Sequence, residues 1–127
     1  MNLSQNASAK NKKQLSIILA TFNESENILK MINSIDNVLS SNIDSEIIVV
    51  DDNSPDGTGT IVENYIKTKK NENTEIRIIH RIDKRGLSSA IIEGFNSTKG
   101  EMILVMDTDF AHPPEKILEM LYEMQNN

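Results

Sequence analysis

The sequence predicts an α/β fold with a mostly parallel sheet, and three observations lead to that prediction. Short apolar runs alternate with amphipathic segments along the 127 residues. The run at residues 47–50 is apolar on both faces and rich in β-branched residues, which is typical of a strand buried in a parallel sheet. Because a helix is predicted between successive strands, right-handed crossovers are expected to join them, and polar clusters lie where each strand gives way to a helix.

The predicted strands and helices follow one another in strict alternation. The strands are expected at residues 15–20, 47–50, 76–79 and 102–106. Asn23 is expected to cap the first helix, with Glu26 completing a capping box. The second helix is expected to begin at about Thr60 and the third to cover residues 87–97. Pro114 suits the first turn of the last helix, because an N–H is not needed there.

One face of each helix carries the apolar residues that are expected to pack against the sheet. These inward residues are Ile28, Met31, Ile32, Ile35 and Leu39 in the first helix, Ile61, Val62, Tyr65 and Ile66 in the second, Ala90, Ile91 and Phe95 in the third, and Ile117, Leu118, Leu121 and Met124 in the last.

Composition argues against several classes of function. The formal net charge of −6 argues against a nucleic-acid-binding surface, which is normally basic. The chain has no Cys, so it has no disulfide framework and no thiolate chemistry. No apolar run approaches the ~20 residues that span a membrane, and the polar start does not resemble a secretory signal. Residues 1–13 are predicted to form a disordered polar arm and residues 14–127 one domain, and a cytoplasmic protein is expected.

The polar clusters are the candidate functional segments. They lie at residues 21–24, 51–56, 81–85 and 107–112. The carboxyl ends of parallel strands share one edge of a sheet, which is where open α/β sheets place their ligands. Four segments that are distant in sequence are therefore expected to meet at one crevice.

The acidic residues of these clusters suggest a site for a divalent cation and a phosphate compound. Asp107 and Asp109 are two residues apart, so an extended backbone puts both on one side. Paired carboxylates are hard oxygen ligands that suit Mg²⁺ or Mn²⁺, and such an ion could bridge to a diphosphate. His112 could assist from nearby.

The neighbours Asp51 and Asp52 should point to opposite faces of a strand. One could address a ligand while the other holds the following turn or helix N-terminus. Lys84 and Arg85 could reach phosphate oxygens, although the segment 81–85 also has the composition of an ordinary solvated loop.

Four sequence elements resemble those of the family 2 glycosyltransferases, and in particular the dolichyl- or polyprenyl-phosphate mannosyltransferase group. The elements are ATFNE at residues 20–24, VDDNSPDGT at 50–58, KRGLSSA at 84–90 and MDTDFAHPP at 106–114. Their order and spacing match the family over residues 15–125. The resemblance implies a Rossmann-like nucleotide-diphospho-sugar transferase fold.

The resemblance also implies a role for individual residues. Nucleotide-sugar binding is implied for Ala20, Phe22, Glu24, Val50, Asp52, Asp107 and Thr108, of which Val50 and Asp52 would contact the base. Asp109 would bind Mg²⁺ or Mn²⁺ with the help of Asp107, and these two carboxylates would be the catalytic residues. The chain departs from the usual family pattern at three positions: Ala20 in place of Pro, Phe22 in place of Tyr and Thr108 in place of Ala.

The implied chemistry is transfer of a hexose to a polyprenyl or dolichyl phosphate, with mannose from GDP-mannose as the expected donor. Such an acceptor would bring the protein to the cytoplasmic face of a membrane as a peripheral protein. The family's domain continues past its D-x-D motif, so this chain is expected to be the donor half, truncated after the D-x-D strand and one helix. Self-association or a complementing chain is expected at the exposed edge of the sheet.

Three other classes of protein were compared with the sequence. A non-catalytic nucleotide-sugar-binding or regulatory module has the same motifs and stays open. A phospho-acceptor receiver domain places its acidic pair after the first strand, whereas here the pair follows the second. A dinucleotide-dependent oxidoreductase needs G-x-G-x-x-G after the first strand, and residues 20–24 contain no Gly.

Overall fold

A computed structural model describes residues 13–39, 43–69, 74–83, 86–108 and 114–126. Strands and helices alternate along the chain as the sequence predicts. The elements are β1 (Lys13–Thr21), α1 (Ile28–Leu39), β2 (Ser45–Asp51), α2 (Thr58–Thr68), β3 (Thr74–His80), α3 (Leu87–Asn96), β4 (Gly100–Met106), a short 3-10 turn (Pro114–Lys116) and α4 (Ile117–Asn126). Lys13, which was predicted to lie in the polar arm, is the first residue of β1, and the rest of that arm lies outside the described residues.

The sheet has the strand order β3-β2-β1-β4, and all three strand pairs are parallel. The predicted α/β fold is therefore confirmed. β2 lies between two neighbours and all seven of its residues are buried, as its uninterrupted apolar run indicates. No helix within the described ranges is both long enough and apolar enough to span a membrane.

The larger core lies between α1, α2 and one face of the sheet. All five residues predicted to point inward from α1 are fully buried. They pack with Leu15, Ile17 and Leu19 of β1 and with Ile47 and Val49 of β2. Ile117 of α4 closes this core. The helical periodicity of the first helix thus gives the correct buried face.

The smaller core lies on the opposite face, under α3. Ile18, Ile48 and Val50 pack there with Ala90. A Cβ on Gly94 would lie 2.8 Å from the Ile18 Cγ2 atom, so only glycine lets the helix approach this closely.

Two predictions about the helices are wrong. Phe95 is not inward, because Gly94 faces the sheet and the Phe95 side chain is left 55% exposed. Asn23 does not cap a helix, because α1 begins only at Ile28. Asn23 instead has a left-handed backbone with φ of 55°, and its N–H donates to the Ser54 hydroxyl.

A buried carboxylate holds the amino ends of the strands together on the α3 face. Glu46 accepts hydrogen bonds from the Ser16 hydroxyl at 2.6 Å, from the Lys99 backbone N–H at 2.6 Å and from Arg77 Nη2 at 2.7 Å. Arg77 Nη2 also donates to the Ser97 carbonyl at 2.6 Å, just past the end of α3. Burial raises the pKa of Glu46, but these hydrogen bonds outweigh it and hold the pKa below its usual value.

We expect Glu46→Gln to lower the free energy of unfolding by about 3 kcal/mol, because it removes one partner of a buried ion pair. The amide would also place an N–H group where two donors now point. Urea unfolding measures the change. Glu75→Gln is the control, since Glu75 also lies beside Arg77 but is 39% exposed and should change stability by less than about 1 kcal/mol. Equal losses in the two variants would contradict the role assigned to Glu46.

Candidate functional site

The loops that follow β1 and β2 are joined by hydrogen bonds at the carboxyl edge of the sheet. The Asp52 N–H donates to the Thr21 carbonyl at 3.0 Å, which extends the strand pairing by one step. The Glu24 N–H donates to the Thr58 hydroxyl at 3.0 Å. Two of the predicted polar clusters therefore form one structure, as the shared edge of a parallel sheet requires.

Asp51 holds the turn that follows β2. Its Oδ1 atom accepts hydrogen bonds from the Thr21 and Ser54 hydroxyls, each at 2.7 Å. Its Oδ2 atom accepts the Ser54 backbone N–H at 3.0 Å. Asp51 is 1% exposed, so these bonds replace the water that the carboxylate loses on burial. The prediction that one of the paired aspartates organises the turn is confirmed for Asp51.

Asp56 ties the same turn to the start of α2 and to the loop after β1. Its Oδ1 atom accepts from the hydroxyl and the N–H of Thr58, and its Oδ2 atom accepts the Ser25 N–H at 3.0 Å. The Thr58 hydroxyl, aided by Ser25, lowers the pKa of Asp56 from 3.8 to about 2.

Asp52 points to the other face, where Arg81 holds it from the end of β3. Arg81 Nε donates to Asp52 Oδ1 at 2.6 Å and Nη2 donates to Oδ2 at 3.1 Å. The Gly86 N–H donates to Oδ2 at 3.1 Å, and the Gly86 carbonyl accepts from Arg81 Nη2 at 3.1 Å. Asp52, Arg81 and Gly86 are thus each hydrogen-bonded to the other two. The Asp52 carboxylate also raises the pKa of Arg81 above its usual value.

A cavity of about 290 Å³ opens between the end of β1 and the start of α3. Among the described residues that line it, Asp52 has the ionisable side chain, and the other lining groups are mostly apolar. The lining residues are Ala20, Thr21, Phe22, Asp52, Gly86, Leu87 and Ala90. Phe22 and Leu87 stay 47% and 61% exposed, so the cavity has solvent-facing apolar side chains. Its size and lining suit a flat apolar group that carries a few hydrogen-bonding atoms.

Three residues of the predicted binding set, Ala20, Phe22 and Asp52, come together in this cavity. Glu24 lies beside it in a polar hollow of about 350 Å³ that Asp56 also lines. Val50 lies under α3 with its side chain fully buried in the smaller core, so the described surface does not present it to the cavity.

Asp107 and Thr108 follow β4, which pairs with β1 and ends at the same edge of the sheet. The Asp107 side chain is exposed, while Thr108 is buried. Asp109, Lys84, Arg85 and His112 lie outside the described residues. Within the described part of the chain, no three His, Cys, Asp or Glu side chains are grouped closely enough to hold a metal ion.

Arg81 lies in a candidate segment of the sequence, and Gly86 and Leu87 lie in a family element, but the sequence analysis assigned no individual role in the site to any of the three. The segment 81–85 has the composition of a solvated loop, yet Arg81 is only 4% exposed. The strand register carried a signal: Asp51 pairs with His80, which places Asp52 beside Arg81 at the next step. Gly86 has φ of 116°, a conformation that favours glycine and that turns the chain into α3.

Residues 16–127 match the family described as Glycosyl transferase family 2. The chain belongs to this family. A dolichol-phosphate mannosyltransferase of Pyrococcus furiosus is 37% identical over 113 residues, which cover 89% of this chain and 30% of that protein. The enzyme of the same name from Mycosarcoma maydis is 35% identical, with 94% of this chain and 45% of that protein covered. This chain thus spans less than half the length of these relatives.

Solved glycosyltransferase structures share the fold. A mannosyltransferase from Pyrobaculum calidifontis, solved in complex with GDP-Man and Mn²⁺, superposes with a TM-score of 0.71 at 24% identity, over 84% of this chain and 30% of that one. S. aureus TarS 1-349 in complex with UDP-GlcNAc gives a TM-score of 0.67 at 22% identity, over 89% of this chain and 31% of that one. At these identities the likeness shows the fold, which the family resemblance predicted.

The Asp56 carboxylate should make the stability of these loops depend on pH in the acid range. Its pKa is about 2 in the folded protein and near 3.8 without its partners, so its contribution is complete above about pH 4 and is lost as the pH falls towards 2. We expect Asp56→Asn to melt at a lower temperature than the unchanged protein at pH 7, with the gap closing between pH 4 and pH 2. The control is Glu101→Gln, which replaces an exposed carboxylate at the amino edge of the sheet. A gap that stays constant down to pH 2 would contradict the assignment.

Proposed function

We propose that this chain is the donor-binding half of a metal-dependent glycosyltransferase that transfers a hexose to a polyprenyl or dolichyl phosphate. The proposed hexose is mannose, and the proposed donor is GDP-mannose. The observation that carries the proposal is the cavity in which Ala20, Phe22 and Asp52 meet. The relatives' names and the GDP-Man and Mn²⁺ in the Pyrobaculum structure support the choice of sugar and ion.

In this proposal the nucleoside occupies the cavity beside Phe22. The Asp52 carboxylate accepts hydrogen bonds from the base, and the apolar side chains of Phe22 and Leu87 cover its faces. The ring of a nucleobase fits a cavity of about 290 Å³. Val50 supports the floor of this cavity from within the smaller core and does not lie at the surface. Glu24 lines the separate polar hollow that Asp56 also lines.

In this proposal the diphosphate would lie towards β4, where Asp107 and Asp109 would hold Mg²⁺ or Mn²⁺. The donor set fits such an ion, because carboxylate oxygens are its preferred ligands and Asp107 is exposed at the shared edge. When bound, the ion would neutralise charge on the departing nucleoside diphosphate. Thr108, which follows Asp107 in sequence, is buried.

The transfer step needs no side-chain base. A lipid phosphate is already an anion at neutral pH, so one of its oxygens attacks the anomeric carbon directly. The bond from that carbon to the donor phosphate breaks, and the nucleoside diphosphate leaves with the electron pair. Such an acceptor would place the reaction at the cytoplasmic face of a membrane.

A non-catalytic nucleotide-sugar-binding module is the second candidate. It has the same motifs and the same cavity, which alone would suffice for nucleotide binding. Further chain, a second copy or a complementing chain would then pair with β4, an edge strand of the described sheet whose Val105 side chain is 43% exposed. This candidate binds donor and metal but releases no nucleoside diphosphate when donor and lipid phosphate are supplied together.

Calorimetric titration with GDP, GDP-mannose, UDP and UDP-glucose, with and without Mn²⁺, tests the proposal. We expect preference for one base and tighter binding with Mn²⁺. Asp109→Ala should lower the gain from Mn²⁺ by at least about tenfold, as removal of a metal-site group commonly does. Glu101→Ala is the matched control, and it should keep the full gain. Metal-dependent binding that is unchanged in Asp109→Ala would refute the metal site, and absence of nucleotide binding would refute the proposed function.

A further inference from the structure

The sheet face under α3 carries two arginine–carboxylate pairs, one at each end of the helix. Arg77 pairs with Glu46 at the amino end of the strands and donates to the Ser97 carbonyl, just past the end of α3. Arg81 pairs with Asp52 at the carboxyl end and donates to the Gly86 carbonyl, just before α3 begins. The two pairs are alike in chemistry, but only the second borders the cavity.

The Arg81–Asp52 pair is more deeply buried than an ion pair at the surface. The Arg81 side chain is 2% exposed and that of Asp52 is 11% exposed. The guanidinium fork and the carboxylate form two parallel hydrogen bonds, a geometry that fixes the orientation of the carboxylate as well as its charge. Among the described residues, the Arg81 Nη1 atom is buried and has no hydrogen-bond partner.

We propose that Arg81 is a positioning residue that fixes the Asp52 carboxylate so that it accepts an N–H group from the edge of a nucleobase. This inference rests on the proposed function, since it concerns the base site of the donor. The Gly86 N–H bond to Asp52 Oδ2 adds a link from the same carboxylate to the N-terminus of α3. Arg81 therefore also couples occupation of the base site to the position of this helix end.

The paired carboxylate favours one class of base. An ionised carboxylate only accepts hydrogen bonds. It matches guanine and uracil, whose ring nitrogens carry an N–H beside a carbonyl group. It opposes the bare ring nitrogen that adenine and cytosine present at the same place. A carboxylate that is free to rotate would still only accept, but its hydrogen bond to the base would be weaker. The advantage of guanine and uracil therefore depends on Arg81 as well as on Asp52.

The experiment compares Arg81→Lys with Arg77→Lys, since each keeps the charge and removes the planar guanidinium group, which makes two parallel bonds to its carboxylate only in Arg81. Binding of GDP, UDP, ADP, CDP and inorganic pyrophosphate is measured by calorimetry with Mn²⁺, and stability by thermal melting. In Arg81→Lys we expect the favoured nucleotide to bind at least about tenfold more weakly, as loss of an orienting partner commonly causes. The advantage of this nucleotide over ADP and CDP should also fall. The affinity for pyrophosphate should stay unchanged. Arg77→Lys should bind all five ligands as the unchanged protein does, even where its melting temperature falls as far.

Hydrogen–deuterium exchange of the unchanged protein gives a second test that needs no variant to fold. Binding of the favoured nucleotide should slow exchange at residues 86–90 and leave residues 97–100, at the other end of α3, unaffected. Equal protection at both ends would overturn the coupling.

The outcomes separate the two proposals. Absence of nucleotide binding in the unchanged protein would overturn the proposed function and this inference with it. Nucleotide binding that persists with full base selectivity in Arg81→Lys would overturn the inference alone. An equal loss for nucleotide and pyrophosphate in Arg81→Lys would also overturn it, because the arginine would then serve only the fold.

Discussion

The central position of β2 in a parallel sheet is the constraint on which the site depends. β2 is paired in register with β1 on one side and β3 on the other, so both neighbouring loops emerge beside its last residues. The pairing continues past the regular strands, with the Asp52 N–H bonded to the Thr21 carbonyl and the Arg81 N–H to the Asp51 carbonyl. Two adjacent carboxylates can therefore serve opposite faces of one strand, Asp51 bracing a turn and Asp52 facing a cavity.

The two faces of the sheet are covered unequally, and the site lies on the side with less cover. The face under α1 and α2 has the larger buried cluster, whereas the face under α3 has four fully enclosed apolar residues and two ionic pairs. Apolar burial is non-directional, while arginine–carboxylate pairs have defined geometry. The α3 face thus combines a thinner apolar layer with groups that fix orientation, which is a property that a binding site requires.

Much of the fold and part of the site could be predicted from sequence, for identifiable reasons. The strands follow from the short runs that are apolar on both faces, and the opposed roles of Asp51 and Asp52 follow from the period of two in a strand. In α3, Ala90 was correctly predicted to be inward. Phe95 was not, because successive residues turn by 100° and the close approach of the helix to the sheet is at Gly94. The burial of Arg81 was also missed, since it depends on a partner 29 residues away. Asn23 was misassigned because Ser54, a distant residue, takes its N–H.

The spacing of Arg77 on β3 and Arg81 just after it limits where the length of the chain can vary. Arg77 and Arg81 are four residues apart, or about 13 Å along a strand, and the ten residues of α3 rise about 15 Å. The helix and the strand segment are therefore similar in length, and hydrogen bonds from the two arginines join them at both ends. Inserting or deleting a single residue within α3 would rotate one end of the helix by about 100° and break the hydrogen bond at that end. Insertions and deletions should accumulate in the connections between elements and spare this helix.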